Sequence, residues 1–168
     1  MFRCIVASSD EDSTLPPEKC VVKIDVKTAN DLFGAIGLLG SPRRILIVED
    51  HLPWLLSLSV TLEELGHSVV PMVGVLEVSQ TAILGLGKDG SIVEPPTCLQ
   101  EIEAVFLDYN FAGGRHNGAT FLREFRLYSQ SPVIGMSSDR TCNATLSRLG
   151  ATVSLQKHLL KNLLARTE

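Results

Sequence analysis

Strand-like and helix-like segments alternate five times over residues 44–166, and this alternation restricts the fold more than any other feature of the chain. RRILIV, residues 43–48, is a β-branched run of the kind required by a strand buried on both faces, and it ends in Glu49 and Asp50. Trp54, Leu55, Leu58, Leu62 and Leu65 then fall on one helical stripe, closed by Gly66. SVVPMV, residues 68–73, reads as a second strand, which Pro71 places at a sheet edge. AVFL from Ala104 makes a third strand, SPVIGM (131–136) a fourth and ATVSL (151–155) a fifth. Phe121, Leu122 and Phe125 mark one helix between them; Cys142, Leu146 and Leu149 mark another, stopped by Gly150; Leu159, Leu160, Leu163 and Leu164 give a closing helix its apolar face. The order implies an α/β fold with a doubly wound, five-stranded parallel sheet, right-handed crossovers and about five helices on its two faces.

Two regions stand outside the rhythm. Residues 74–103 are longer than a crossover needs, and the expectation there is a helix of about 10–12 residues with short loops, the surplus KDGSIVEPPT (88–97) forming a surface loop insertion. Residues 1–43 form an N-terminal extension with a strand-like piece, KCVVKIDV, and a helix-like piece, NDLFGAIGLLG, too short for a core of their own. Because the rhythm starts at Arg44, residues 44–168 are expected to fold without the extension.

Charge narrows the classes of function. The 168 residues carry a net charge of −4, which gives no general attraction to nucleic acid or anionic lipid, and neither partner is expected. The distribution is uneven: residues 44–108 hold two Lys/Arg against ten Asp/Glu, and residues 109–168 eight against three. The basic last third, with Arg140, Arg148, Lys161 and Arg166, suits an acidic protein partner. Cys4, Cys20, Cys98 and Cys142 are scattered with no Cys-x-x-Cys spacing, so neither a zinc site nor a disulfide framework is indicated. The apolar run at the N-terminus is too short for a secretion signal and no stretch reaches the length of a membrane span, so a cytoplasmic location is expected.

Parallel α/β sheets bind ligands beyond the carboxyl ends of their strands. Strand one delivers Glu49 and Asp50 there, strand three Asp108, strand four Ser137 and Ser138, and strand five is followed by Lys157. Three carboxylates in one place repel one another and call for a cation; oxygen ligands with open positions suit Mg²⁺, and an ammonium opposite adds a second counter-charge. Singly, each residue has an ordinary explanation. Asp50 and Asp108 could cap helices, Ser137 could serve a turn, and Lys157 could be a solvated first-turn lysine. His51 and His116 read as surface histidines, and Trp54 with its leucines as core.

Together, ILIVED, FLDYN, GMSSD and LQK resemble, in this order, the response-regulator receiver domain of two-component signalling, chemotaxis-regulator-like, with flavodoxin-like strand order 2-1-3-4-5. The resemblance covers residues 44–166. It implies that Asp108 is a phosphoacceptor, that Glu49, Asp50, Asp108 and the backbone carbonyl of Asn110 hold Mg²⁺, that Ser137 is a switch hydroxyl and that Lys157 pairs with the phosphoryl group. It implies a receiver, not an enzyme in the ordinary sense, that takes its phosphoryl group from a histidine kinase or histidine phosphotransfer protein and signals to a downstream protein; residues 1–43 are too few and too neutral for an obvious DNA-binding module, so a stand-alone receiver is expected. Three departures are visible: the segment FAGGRHN after Asp108 is longer than usual, Ser154 stands where an aromatic is frequent, and His158 replaces the proline that commonly follows the lysine through a cis peptide. Two other readings compete. A phosphorylation-independent interaction module on the same fold would be expected to have lost an acceptor or metal acid, and none is lost. A haloacid-dehalogenase-like phosphatase wants a titratable acid two residues after the nucleophile, where this chain has Asn110.

Overall fold

A computed structural model describes residues 29–35, 41–111 and 116–164. Strand β1 (Arg44–Val48) is followed by helix α2 (Leu52–Glu64), β2 (Ser68–Met72), β3 (Gly74–Val78), β4 (Ala82–Leu86), β5 (Thr97–Cys98) and β6 (Ala104–Asp108). Helix α3 (Gly118–Tyr128), β7 (Val133–Ser137), α4 (Arg140–Arg148), β8 (Val153–Gln156) and α5 (Lys157–Leu164) complete the order, and a short helix α1 (Ala29–Ala35) precedes β1. The five-stranded sheet is parallel, with order β2-β1-β6-β7-β8. Counting its own strands in chain order, this is the expected 2-1-3-4-5, with Pro71 on an edge strand, where its missing N–H costs no ladder bond.

Strand periodicity divides the core into two layers. Ile45, Ile47, Ala104, Phe106, Ile134 and Met136 face one side, with Leu55, Leu58 and Leu62 of α2 and Leu160 and Leu164 of α5. Leu46, Val48, Val105, Leu107 and Val133 face the other, against Phe121, Leu122 and Phe125 of α3 and Leu146 of α4. The central strands β6 and β7 are buried at every residue, which is why they read as unbroken apolar runs. Gly66 and Gly150 adopt φ of +88° and +97°. Each lets the next amide reach back into the last turn, His67 N–H to Leu62 O and Ala151 N–H to Leu146 O, so the glycines end α2 and α4 as expected.

Residues 74–103 depart from expectation. They contain no α-helix; β3, β4 and β5 form a three-stranded antiparallel sheet instead, followed by a 3-10 turn at Leu99–Glu101. The residues explain the outcome. AILGL alternates half-buried and buried positions, Val75, Val78 and Ile83 are β-branched, and Gly74 and Gly85 would weaken a helix. Gly85 is required: a Cβ there would lie 2.3 Å from Met72 Sδ and 2.9 Å from the carbonyl oxygen of Gly74. Val75, Val78 and Ile83 cover the sheet face that a crossover helix would otherwise bury. Of residues 88–97, Thr97 belongs to β5; the segment before it turns at Gly90, at φ +80°, and is linked to β4 by an Ile92–Leu86 bridge.

The N-terminal extension also contributes to the core. Leu32 and Phe33 of α1 are buried in the α2/α5 layer, so core side chains precede Arg44. KCVVKIDV lies outside the described residues. Two members of the expected apolar stripes face solvent instead, Leu65 at 42% and Leu159 at 44% exposure, because α2 ends at Leu65 and α5 buries only Leu160, Leu163 and Leu164. Among the described residues no helix is long and apolar enough to cross a membrane.

Candidate phosphoacceptor site

Strand register brings the expected residues to one end of the sheet. Val48 pairs with Leu107, Asp108 with Met136, and Ser137 with Gln156. Glu49 and Asp108 thus leave neighbouring strands side by side, and the backbone is still tied there by Glu49 N–H to Met72 O and Tyr109 N–H to Met136 O. Asp108 keeps the parity of Ala104 and Phe106 and so tends toward the α2/α5 layer. Helix α5 begins at Lys157 directly after β8, and its ammonium meets Asp108 there.

Lys157 Nζ donates hydrogen bonds of 2.9 Å to Glu49 Oε1 and 2.9 Å to Asp108 Oδ2. Glu49 is fully buried and Asp108 nearly so, whereas Asp50 is exposed. Backbone amides add support: His51 N–H donates to Glu49 Oε1 at 3.1 Å and Tyr109 N–H to Asp108 Oδ1 at 2.8 Å. Burial pushes the pKa of Glu49 up, against the pull of Lys157, and the charge of Asp108 pushes the same way. Burial likewise raises Asp108, opposed by Lys157 and assisted by Asp50. For Lys157, burial acts downward, but its hydrogen bonds to Glu49 and Asp108 outweigh it and hold the ammonium above its ordinary value. One ammonium thus faces an excess of carboxylate charge.

The donor set fits a hard divalent cation. One oxygen from each of Glu49, Asp50 and Asp108 lies within 4.8 Å of the others. Glu49 Oε2 is buried and, although 2.7 Å from Lys157 Nζ, makes no aligned hydrogen bond, so an oxygen remains to be satisfied. Carboxylate oxygens with one exposed member match Mg²⁺, which keeps several waters. Asn110 is exposed in the bend just after Asp108.

The ordinary explanations fail for three of the four residue positions. The N-cap of α2 is His51 and that of α3 is Asn117, whose side chain and Thr120 form a capping box; neither Asp50 nor Asp108 caps a helix. Lys157 does open a helix, but its side chain is only 22% exposed and engaged by both acids. Ser137 does serve a turn: its Oγ accepts from Asp139 N–H at 3.2 Å. His51 is exposed as expected. His116 is not a surface histidine, since its side chain is 8% exposed and Nε2 lies 2.8 Å from Glu124 Oε2. Trp54 is half-buried against the core and shares with His51, Ser57, Ser138, Lys157 and His158 a groove beside the site. Among the described residues the cis peptide is Glu94–Pro95, so Lys157–His158 is trans.

Two contributors escaped the sequence reading. A Cβ on Gly118 would lie 2.4 Å from the carbonyl oxygen of Asp108; the glycine lets α3 start against the end of β6, where its N–H bonds Tyr109 O. Asn143 of α4 is buried and donates through Nδ2 to the carbonyl oxygen of Ser137 at 2.9 Å. A glycine opening a helix after an acid-tipped strand is a visible signal; a polar residue on the apolar stripe of α4 is the other.

No family model and no curated protein sequence matches the chain. Solved structures do match. The BeF3-activated N-terminal receiver domain of Klebsiella pneumoniae RstA aligns at TM-score 0.50 and 18% identity over 72% of this chain and 95% of its own. A response regulator from Burkholderia pseudomallei, solved with a phosphorylated aspartic acid, calcium ion and citrate, aligns at TM-score 0.50 and 15% identity over 75% of this chain and 66% of its own. NtrX from Brucella abortus aligns at TM-score 0.50 and 18% identity over 76% of this chain and 28% of its own. With its sheet order and the helices on the two faces, the chain has the fold of a response-regulator receiver domain, carrying a three-stranded antiparallel sheet in place of one crossover helix.

Proposed function

We propose that the protein is a phosphorylation-dependent receiver: Asp108 accepts a phosphoryl group from a histidine kinase or histidine phosphotransfer protein, and the modified domain changes its contacts with a downstream protein. The observation that carries this reading is the bridge from Lys157 to both Glu49 and Asp108, beside an exposed Asp50, with neither aspartate spent on a helix cap. The phosphorylated aspartate of the Burkholderia pseudomallei neighbour agrees with it.

Each residue has a definable task. An incoming donor brings negative charge, toward which Lys157 Nζ can turn, releasing Asp108 Oδ2 to attack phosphorus. An oxygen–phosphorus bond forms, the donor's bond to phosphorus breaks, and the departing imidazole or carboxylate keeps that electron pair. Tyr109 N–H holds Oδ1 in place meanwhile. Glu49, Asp50, Asp108 and the Asn110 carbonyl would hold Mg²⁺, which when bound neutralises charge on the group being transferred. The hydroxyl of Ser137 can rotate to donate to a phosphoryl oxygen, drawing in the loop after β7. The basic residues Arg140 and Arg148 of α4 and Lys161 of α5 are those we assign to an acidic partner.

Incubation with acetyl phosphate and Mg²⁺ tests the reading. Whole-protein mass should rise by one phosphoryl group, EDTA should prevent the rise, and Asp108→Asn should abolish it. A chain that gains the same mass in EDTA, or in Asp108→Asn, is not this kind of receiver.

A further inference from the structure

We infer that residues 19–27 of the N-terminal extension dock along the outer face of α2, over Leu52, Leu56 and Val60 and against Glu63 and Glu64. None of these residues takes part in the phosphoacceptor chemistry proposed above, so the docking stands or falls independently of it.

Helix α2 carries two apolar rows. Leu55, Leu58 and Leu62 are buried in the core, whereas Leu52, Leu56 and Val60, four residues apart and hence on one face, are 40%, 45% and 51% exposed. A helix whose core face is already filled has no packing use for a second apolar row unless something covers it. Glu63 and Glu64 follow Val60 by three and four residues and continue the row. Both are exposed, and the last turn holds no basic residue, although that end of the helix dipole favours a cation. Among the described residues neither acid makes an ion pair. The face therefore suits an apolar segment that carries positive charge.

KCVVKIDVK, residues 19–27, has that composition. Cys20, Val22, Ile24 and Val26 are interleaved with Lys19, Lys23 and Lys27, and with Asp25 the segment carries +2, opposite the −2 of Leu52–Glu64. Its attachment puts it within reach. Lys27 lies two positions before α1, whose Leu32 and Phe33 are buried in the same core layer as Leu55, Leu58 and Leu62. Nine residues span up to about 30 Å, and the row from Leu52 to Glu64 rises about 18 Å, so the segment can cover all of it. A tether this short holds the segment at an effective concentration in the millimolar range, against which a separate protein or a second copy competes poorly. Pro53 and Ser57, which line the groove beside Lys157, are i,i+3 neighbours of Leu56 and Val60. The docked segment thus borders that groove, and a protein reaching the groove over α2 displaces it.

Zero-length carbodiimide cross-linking of the full chain tests the docking, read by peptide mass spectrometry on a mixture of unlabelled and nitrogen-15-labelled protein. Wild type should link Lys19, Lys23 or Lys27 to Glu63 or Glu64, within single chains. The double variant Val22→Asp/Ile24→Asp, and separately Leu56→Ser at an exposed position, keep every linking group and remove apolar contact; each should melt cooperatively and form these links about fivefold more slowly. No such link in wild type leaves the row to a different partner, and links joining unlabelled to labelled chains give it to a second copy. Rates within about twofold of wild type in both variants reduce the links to chance encounters of a tethered segment. Any of these three results overturns the inference.

Discussion

Replacing Lys157 by methionine isolates the electrostatics of the site. The substitution keeps the side-chain stem but removes the ammonium, leaving fully buried Glu49 and nearly buried Asp108 without their shared counter-charge. Stripping one partner from a buried ion pair costs about 3–5 kcal/mol; with Lys157 partly exposed, the lower end, about 3 kcal/mol, is expected near neutral pH without metal. The pH trend has a definite sign. Both acids have folded-state pKa values raised by burial, and loss of Lys157 raises them further. An acid with a raised folded pKa weakens the fold as pH climbs from its unfolded value through its folded one. The deficit of Lys157→Met should therefore be largest at neutral pH and shrink toward the ordinary carboxylate range, where protonation removes the unpaired charge. His67, whose imidazole burial holds below its ordinary value, titrates in both chains and cancels in the difference. Urea unfolding of the two proteins in EDTA at about pH 7.5 and about pH 5 reads this directly. Excess MgCl₂ should stabilise both and narrow the gap, because a cation bound only by the folded chain adds stability by mass action. A deficit below about 0.5 kcal/mol at neutral pH, the scale of an ordinary surface change, or one that grows as pH falls, would refute the reasoning.

Further outcomes follow from single contacts. Asp50→Asn removes one anionic ligand and should weaken Mg²⁺ binding by about tenfold, measured by titrating the fluorescence of Trp54, the one tryptophan, which lines the groove beside the site. Ser137→Ala should label with acetyl phosphate yet lose the change in amide hydrogen exchange across the 137–139 loop. Gly118→Ala drives a methyl into the backbone of Asp108 and should cost about 1–3 kcal/mol in urea unfolding while slowing labelling. Phe33→Ala should cost about 3 kcal/mol, and a chain beginning at Arg44 should fold with a clearly lower melting temperature, since Leu32 and Phe33 fill the α2/α5 layer; unchanged melting would mean that α1 contributes nothing to the core.

The parallel sheet was legible because its central strands are buried on both faces and therefore written as unbroken apolar runs, ILIV, AVFL and VIGM. The acids at their tips were legible for the same reason, a charge ending an apolar run. The β3–β5 sheet was not: its strands are interrupted by glycines and partly exposed, and the surrounding rhythm argues for a helix against the strand-like alternation of AILGL. Asn143 shows in the sequence as a polar residue on the apolar stripe of α4, but its partner does not. Its role depends on a hydrogen bond to a backbone carbonyl six residues back, which no side-chain pattern records. The burial of His116 was equally out of reach, since it follows from a pairing with Glu124 across the start of α3.

Locating the phosphoryl group is the most direct measurement. After incubation with acetyl phosphate and Mg²⁺, borohydride reduction converts an aspartyl phosphate to homoserine, and peptide mass spectrometry reads its position. The expected result is homoserine at position 108 alone, absent without Mg²⁺. A phosphoryl group on a serine, threonine or histidine, or homoserine at position 50 with none at 108, would contradict the assignment of Asp108 as the acceptor.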